Sequence, residues 1–302
     1  MVRGASFRVA SGIAAAALLA AGAAAAAGPG HARPAAVQPP AWPKPMRIMS
    51  LNQCTDLLLL QLVPRSRIAS LSYLGHDAVD TLFPGADTGL QVNQGTAEDV
   101  LNQQPDLILA GEFTTPVTKR LAAQALHTPL VEVRSADSFA DIRATVRQVA
   151  AAVGEPARAE ALIRQMDATL ARIAATPLPR RMRVVAWSGG SWVPGKGTLT
   201  NDIIETAGAV NIAALPGAND SGFDVEQLLA ANPDALLYGG GRSGLPSLQA
   251  DEGQHPLVRA LFGDRRIDFN DVAHSCGLPQ SADSALAIHR ALLAIANRRR
   301  PS

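Results

Sequence analysis

Apolar positions fall along this chain in short runs, separated by stretches of helical spacing. Arg47-Ile48-Met49-Ser50-Leu51 is one such run and reads as a strand. Thr55 or Asn52 can cap a helix over 56–62, which Pro64 ends. Residues 67–72 give a second strand. A helix over 97–104 leads through Pro105-Asp106 into Leu107-Ile108-Leu109-Ala110. That unbroken apolar run suits a parallel strand buried on both faces. A helix over 117–125 and a strand over 129–133 follow. The alternation predicts a parallel sheet with helices on both sides.

Residues 138–175 carry almost no strand signal and break once, at Gly154-Glu155-Pro156. Leu162, Ile163, Met166, Leu170 and Ile173 recur on one helical face. A helix over 156–175 would be roughly 30 Å long, about the span of a small domain. The first pattern then restarts. Strands are predicted over 183–187, 235–238 and 267–269, with helices over 200–207, 225–231, 257–262 and 285–297. The two halves share a phrase: residues 97–101 and 105–109 match 225–229 and 233–237. Each copy sets a Glu early in a helix and a Pro-Asp turn before a buried strand. The fold class is therefore α/β, with two parallel-sheet lobes over 46–137 and 178–302 and a helical connection over 138–177.

The start of the chain reads differently. Arg3 and Arg8 precede a small-apolar run over 13–27, and Gly28-Pro29-Gly30 breaks it. This describes a secretory signal peptide over 1–32, followed by an Ala/Pro linker over 33–45. The run is too short and Ala-rich for a convincing membrane span. No cysteine precedes Cys54, so no lipid-anchor cysteine adjoins the signal. A soluble, exported, periplasmic protein is expected.

Length, composition and motifs narrow the chemistry. The chain has 302 residues, 47% of them hydrophobic, enough for two lobes of ordinary size. A net charge of +1 argues against a nucleic-acid partner held by phosphate contacts. Gly190 to Lys196 nearly writes a phosphate-binding loop, but Gly197 stands where Ser or Thr must hold magnesium. The six histidines are scattered, without H-E-x-x-H or C-x-x-C, so no protein-only metal site is expected. No G-x-S-x-G elbow occurs and no catalytic residue is assigned. An enzyme using a cleft between the lobes stays as the second class.

Several phrases in order carry a resemblance. They are Arg47 to Asn52, Ile68 to Tyr73, Glu98 with Gln104 to Ile108, and the helix from Pro156. Asn201 with Glu205 to Ala209 and Asn211, Glu226 with Asn232 to Asp234, and Cys276 to Pro279 follow. Together they resemble the periplasmic substrate-binding proteins of the iron-siderophore/cobalamin ABC importer family, closest to its cobalamin-binding branch. The resemblance implies a class III binding-protein fold, two lobes joined by one long rigid helix. It implies no enzymatic activity and no cofactor, only a transported iron-siderophore or corrinoid held between the lobes. A haem carrier with Tyr73 as axial ligand is the alternative. The partner implied is an inner-membrane ABC permease dimer with its ATPase subunits, met by a monomeric carrier.

Ligands in parallel α/β sheets sit beyond the carboxyl ends of the strands. The ligand candidates in the loops there are Asn52, Gln53, Cys54, Tyr73, His76, Asn93, Gln94, Glu112 and Phe113 in the first lobe. The second offers Trp187, Trp192, Asp220, Arg242, Asp271, His274 and Cys276. By the resemblance, Tyr73 and Trp192 match aromatics near the ligand and Asp271 a ligand-facing acid. Gly111 and Val272 stand where the cobalamin binder has tryptophans. Glu98 and Glu226 match acids that dock on permease arginines, one per lobe. The only two cysteines, Cys54 and Cys276, can form a disulfide, stay free, or reach a soft ligand.

Overall fold

The computed structural model describes residues 43–122, 126–218, 223–239 and 248–298. Two ligand candidates, Asp220 and Arg242, lie outside the described residues, as does the signal segment.

The first lobe runs β1 (Ile48–Ser50), α1 (Gln53–Leu62), β2 (Ile68–Ser72), α2 (His76–Leu82), β3 (Val92–Asn93) and α3 (Ala97–Gln103). It continues through β4 (Leu107–Gly111), α4 (Pro116–Arg120) and β5 (Leu130–Val133). The connection is α5 (Phe139–Val153) and α6 (Pro156–Ala174). The second lobe runs β6 (Arg183–Ala186), α7 (Leu199–Thr206), β7 (Val210–Asn211), α8 (Val225–Ala231), β8 (Ala235–Gly239) and α9 (Leu248–Gly253). It ends with α10 (Pro256–Phe262), β9 (Arg266–Phe269), α11 (Asp271–Ser275) and α12 (Ser281–Arg298).

The strand orders are β3-β2-β1-β4-β5 and β7-β6-β8-β9, and every pairing is parallel. Alternation along each strand sorts its side chains between two cores. Leu107 and Leu109 of β4 turn inward, and Ile108 turns to an outer core with Met49, Leu51 and Val100. In β6, Val184 and Ala186 turn inward and Val185 outward. The inward sets of both sheets merge into one hydrophobic cluster with α1, α5, α6, α7 and α12. The lobes are thus joined by packing as well as by chain.

The connection is a helix pair rather than one helix. Ser138 caps α5, and Gly154 ends it at φ 74, a left-handed conformation that glycine adopts freely. Pro156 opens α6, where its missing N–H costs nothing. The 19 residues of α6 span roughly 28 Å and bury Ile163, Met166 and Ile173, as the spacing predicts. This helix packs on α5 and on α12. Buried Arg67 ties the α5–α6 turn to the first lobe. Its guanidinium donates to the Val153 and Pro45 carbonyls at 2.5 and 2.7 Å and to Glu155 Oε1 at 2.6 Å.

Cys54 and Cys276 form a disulfide across the lobes, with Cα atoms 5.1 Å apart. Of the three states open from sequence, the bonded one is observed. Nearby, the Gln280 amide donates to Gln61 Oε1 at 2.8 Å, and the Phe139 amide donates to Asp202 at 2.7 Å. Shared core, cross-link and these bonds all oppose wide hinge opening.

Short elements β3, β7, α2, α9 and α11 were not expected. Strands β3 and β7 have two residues each, too few for any periodic signal, and exist by pairing alone. Helices α2 and α11 are one to two turns long; Asn270 caps α11, and the two helices pack on each other across the lobes. Among the described residues no helix is long and apolar enough to cross a membrane.

Candidate ligand-binding site

The loops after β1 and β2 meet α11, which follows β9 of the other sheet. The carboxyl ends of the two sheets therefore converge, with the Cys54–Cys276 bond at the junction.

Three aromatic side chains stand in solvent at these strand ends. Tyr73 follows β2 and is 51% exposed, Phe113 follows β4 and is 88% exposed, and Trp192 lies beyond β6 and is 61% exposed. Leu74 beside Tyr73 is also half exposed, a contact surface that the sequence reading missed. The Tyr73 amide donates to the Asn93 carbonyl at 2.9 Å, and its phenol has no protein partner among the described residues. Exposed aromatics beside a leucine are what a flat apolar ligand needs.

His76 opens α2, three residues after Tyr73, and is exposed. Its Nδ1 lies 2.6 Å from Asp87 Oδ2, and its Nε2 lies 3.6 Å from Asp80 Oδ2. The Asp87 hydrogen bond, then the charges of Asp87 and Asp80, raise its pKa. This imidazole is engaged in a charged clamp, whose Asp80 arm at i+4 was legible and whose Asp87 arm was not. The group has the donor types for a cation, and the hydrogen bond to Asp87 occupies the histidine Nδ1.

Other candidates are committed to the fold. Asn52 caps α1, its Oδ1 accepting from the Cys54 and Thr55 amides at 2.9 and 3.4 Å. Its side chain fills the space over Gly111, where a Cβ would overlap it, so a tryptophan there would displace the cap. The Gln94 backbone N–H donates to Asp99 of the α3 capping box, while its side chain is exposed. Glu112 Oε1 accepts from the Ser135 amide at 3.4 Å and lies 3.7 Å from Arg134. Gln53 reaches the Cys276 sulfur at 3.8 Å. Asp271 packs against Gly239, whose Cβ would overlap its carboxyl.

Three expected ligand contacts are corrected by burial. Trp187 is only 2% exposed and sits in the outer core of the second lobe. Its indole N–H donates to the Gly190 and Phe223 carbonyls at 2.9 and 3.1 Å. It shares the face of Val185, two residues back, so strand alternation had already placed it there. Asn93 is buried and donates to the Ser50 and Leu71 carbonyls and Ser70 Oγ, each at 2.9 Å. His274 is buried between Thr200 Oγ1 at 3.2 Å and Ser284 Oγ at 2.9 Å, its ring centroid 4.1 Å from that of Phe269. Desolvation holds this imidazole neutral, with a pKa lowered to about 3. Cys54 and Cys276, being bonded, offer no thiolate to a ligand.

Glu98 and Glu226 are both exposed in the first turn of their helices, α3 and α8. The two helices match from cap to cap. Thr96 and Asp224 accept from amides at the N-termini. Gln104 and Asn232 end them in the left-handed region, at φ 44 and 39.

A cavity of about 390 Å³ lies elsewhere, at the end of α6, lined by Ile173, Pro177, Leu178, Arg180, Gly208 and His289. It is at the amino-terminal side of β6 and away from the converging strand ends.

The family model described as periplasmic binding protein matches residues 50–259. No curated protein matches the chain. Among solved structures, the periplasmic heme-binding protein RhuT from Roseiflexus sp. RS-1, in apo form, is 24% identical with a TM-score of 0.67. That match covers 83% of this chain and 98% of the other. A periplasmic heme-binding protein from Pseudomonas aeruginosa is 20% identical over 83% and 93% of the two chains, with a TM-score of 0.65. The periplasmic vitamin B12 binding protein BtuF of Vibrio cholerae is 17% identical over 85% and 99%, with a TM-score of 0.62. These likenesses establish a shared fold.

Proposed function

Since this chain belongs to the periplasmic binding protein family, we propose that it is the carrier of an ABC importer and that its cargo is haem. The free phenol of Tyr73 carries this reading. A ferric siderophore arrives with its coordination sphere filled, so it asks the protein for charge and contact. Haem arrives with open axial positions, and a tyrosine phenolate is a hard oxygen donor suited to ferric iron. Leu74 and the exposed Phe113 and Trp192 supply apolar cover for the macrocycle. Names of similar structures point the same way, since RhuT and the Pseudomonas protein are both called heme-binding.

Mechanistically, this is capture and release, with no bond of the cargo's macrocycle made or broken. The carrier works in the periplasm as a single copy. Its rigid lobes keep the strand ends at fixed separation, so little closure accompanies binding. Glu98 and Glu226 then set the loaded carrier on arginines of a two-fold permease, one acid per half. ATP is hydrolysed by a separate subunit.

The test is a titration of the exported protein with haem, cobalamin and a ferric hydroxamate. Saturable growth of a shifted Soret band at about one haem per chain supports the reading. Stoichiometric, unchanged cobalamin or siderophore bound in place of haem overturns it, as does chemical turnover of any of the three.

A further inference from the structure

The first turn of α1 holds a carboxyl group that touches neither solvent nor the ligand face. Asp56 is completely buried. Both its oxygens lie within reach of one donor, the Ser72 amide, at 3.1 and 3.2 Å. That amide is the last of β2, directly before Tyr73. The carboxyl also lies over Gly75, where a Cβ would overlap Oδ2. Ser72 and Gly75 are the two ends of a closed turn. The Gly75 amide donates to the Ser72 carbonyl at 3.0 Å, and the Leu74 amide donates to Ser72 Oγ at 3.0 Å. Asp56 therefore bonds one foot of the turn that presents Tyr73 and Leu74 and packs against the other.

The same helical turn faces the other lobe. Cys54, two residues earlier, is bonded to Cys276 of the second lobe. One rigid turn thus refers the Tyr73 phenol to the opposite wall of the cleft. A buried carboxyl is a costly way to satisfy one amide and the Ser50 hydroxyl. Burial pushes its pKa well up, against the pull of its Ser50 and Ser72 hydrogen bonds. A glycine at 75 is likewise needed only because the carboxyl occupies its side-chain space.

We propose that Asp56 is a positioning residue for cargo capture, fixing the Tyr73–Leu74 turn and, through Cys54, its distance from the second lobe. This rests on the reading of Tyr73 as the iron ligand. One acceptor oxygen suffices for the Ser72 amide, so an amide side chain should replace the carboxyl where a methyl cannot.

The experiment compares haem-loaded Asp56→Ala, Asp56→Asn, Gly75→Ala and Tyr73→Phe with the unaltered protein. The readouts are the phenolate-to-iron charge-transfer band, haem affinity and the melting curve. Asp56→Ala and Gly75→Ala are expected to melt cooperatively but bind about 10- to 100-fold more weakly, with the band diminished toward the Tyr73→Phe spectrum. Asp56→Asn is expected to rescue both band and affinity. Should Asp56→Ala fail to fold, Gly75→Ala perturbs the same contact with the carboxyl retained. Loss of the band in Tyr73→Phe, with band and affinity intact in Asp56→Ala or in Gly75→Ala, overturns the positioning role and leaves the ligand assignment standing. An unchanged band in Tyr73→Phe overturns both.

Discussion

The two lobes repeat one another down to single side chains, and then part at one strand. Asp106 and Asp234 occupy the same turn. The first accepts from the Met46 and Arg47 amides at 2.7 and 2.8 Å, the second from the Arg183 amide at 2.8 Å and from Arg180. Asn93 ends β3 and Asn211 ends β7, and each spends its amide holding neighbouring loops together. In the second lobe β7 pairs directly with β6. In the first, β2 takes that place beside β1, and β3 adds a further strand at the edge. Tyr73 follows β2, between it and the helix that leads to the added strand. The shared phrase builds a scaffold, and the loop before the added strand supplies the donor atom. The aromatics follow the same division, since Trp187 is core while Tyr73 is half in solvent.

The comparison can be broken at several points. Removing the Cys54–Cys276 bond, by alanine at both positions, tests whether the lobes are one unit. The bond closes a loop with a sequence separation of 222 residues, so its loss should cost about 4–5 kcal/mol. The common inner core predicts a single melting transition that shifts down and does not split. Two separated transitions in calorimetry would contradict the shared core.

The paired asparagines come next. Asn93 donates to three acceptors and Asn211 to two, so alanine should cost about 3 kcal/mol at the first and about 2 kcal/mol at the second in urea unfolding. The reverse order would mean that the second lobe depends more on its buried amide.

The buried His274 gives the second lobe an acid sensitivity. The unfolded chain takes up a proton as pH falls through about 6.5, whereas the folded imidazole resists protonation down to about 3. Its contribution is complete above 6.5 and is lost as pH drops through that window, at about 1.4 kcal/mol per unit. Denaturant unfolding at stepped pH should show this slope, and His274→Gln should flatten it. The smallest effects are expected at the docking acids. Glu98→Lys and Glu226→Lys should each weaken capture by permease vesicles by about 1 kcal/mol, equally and salt-dependently, with haem affinity unmoved.

Much of the fold was legible because its signals are local. Leu107 to Ala110 announces a buried strand, Pro156 and the Ile163–Met166–Ile173 face announce α6, and the repeated Pro-Asp announces two lobes. The site was less legible because its selection is tertiary. Asn93 and His274 read as ligand groups until their hydrogen-bond partners arrive from β1, β2, α7 and α12. Asp56 was not singled out in the sequence, since Ser72 and Gly75 are brought to it by the β2–α2 turn. Trp187 is the exception, a residue whose burial the alternation of β6 already implied.

The most direct test of the division of labour between the lobes is a haem titration of the unaltered protein, Tyr73→Phe and Trp192→Ala, followed through the Soret band. If the first lobe coordinates and the second covers, Tyr73→Phe abolishes the shifted band, while Trp192→Ala keeps it and weakens binding by about tenfold. A Tyr73→Phe protein that binds haem with the affinity and spectrum of the unaltered chain would contradict the account.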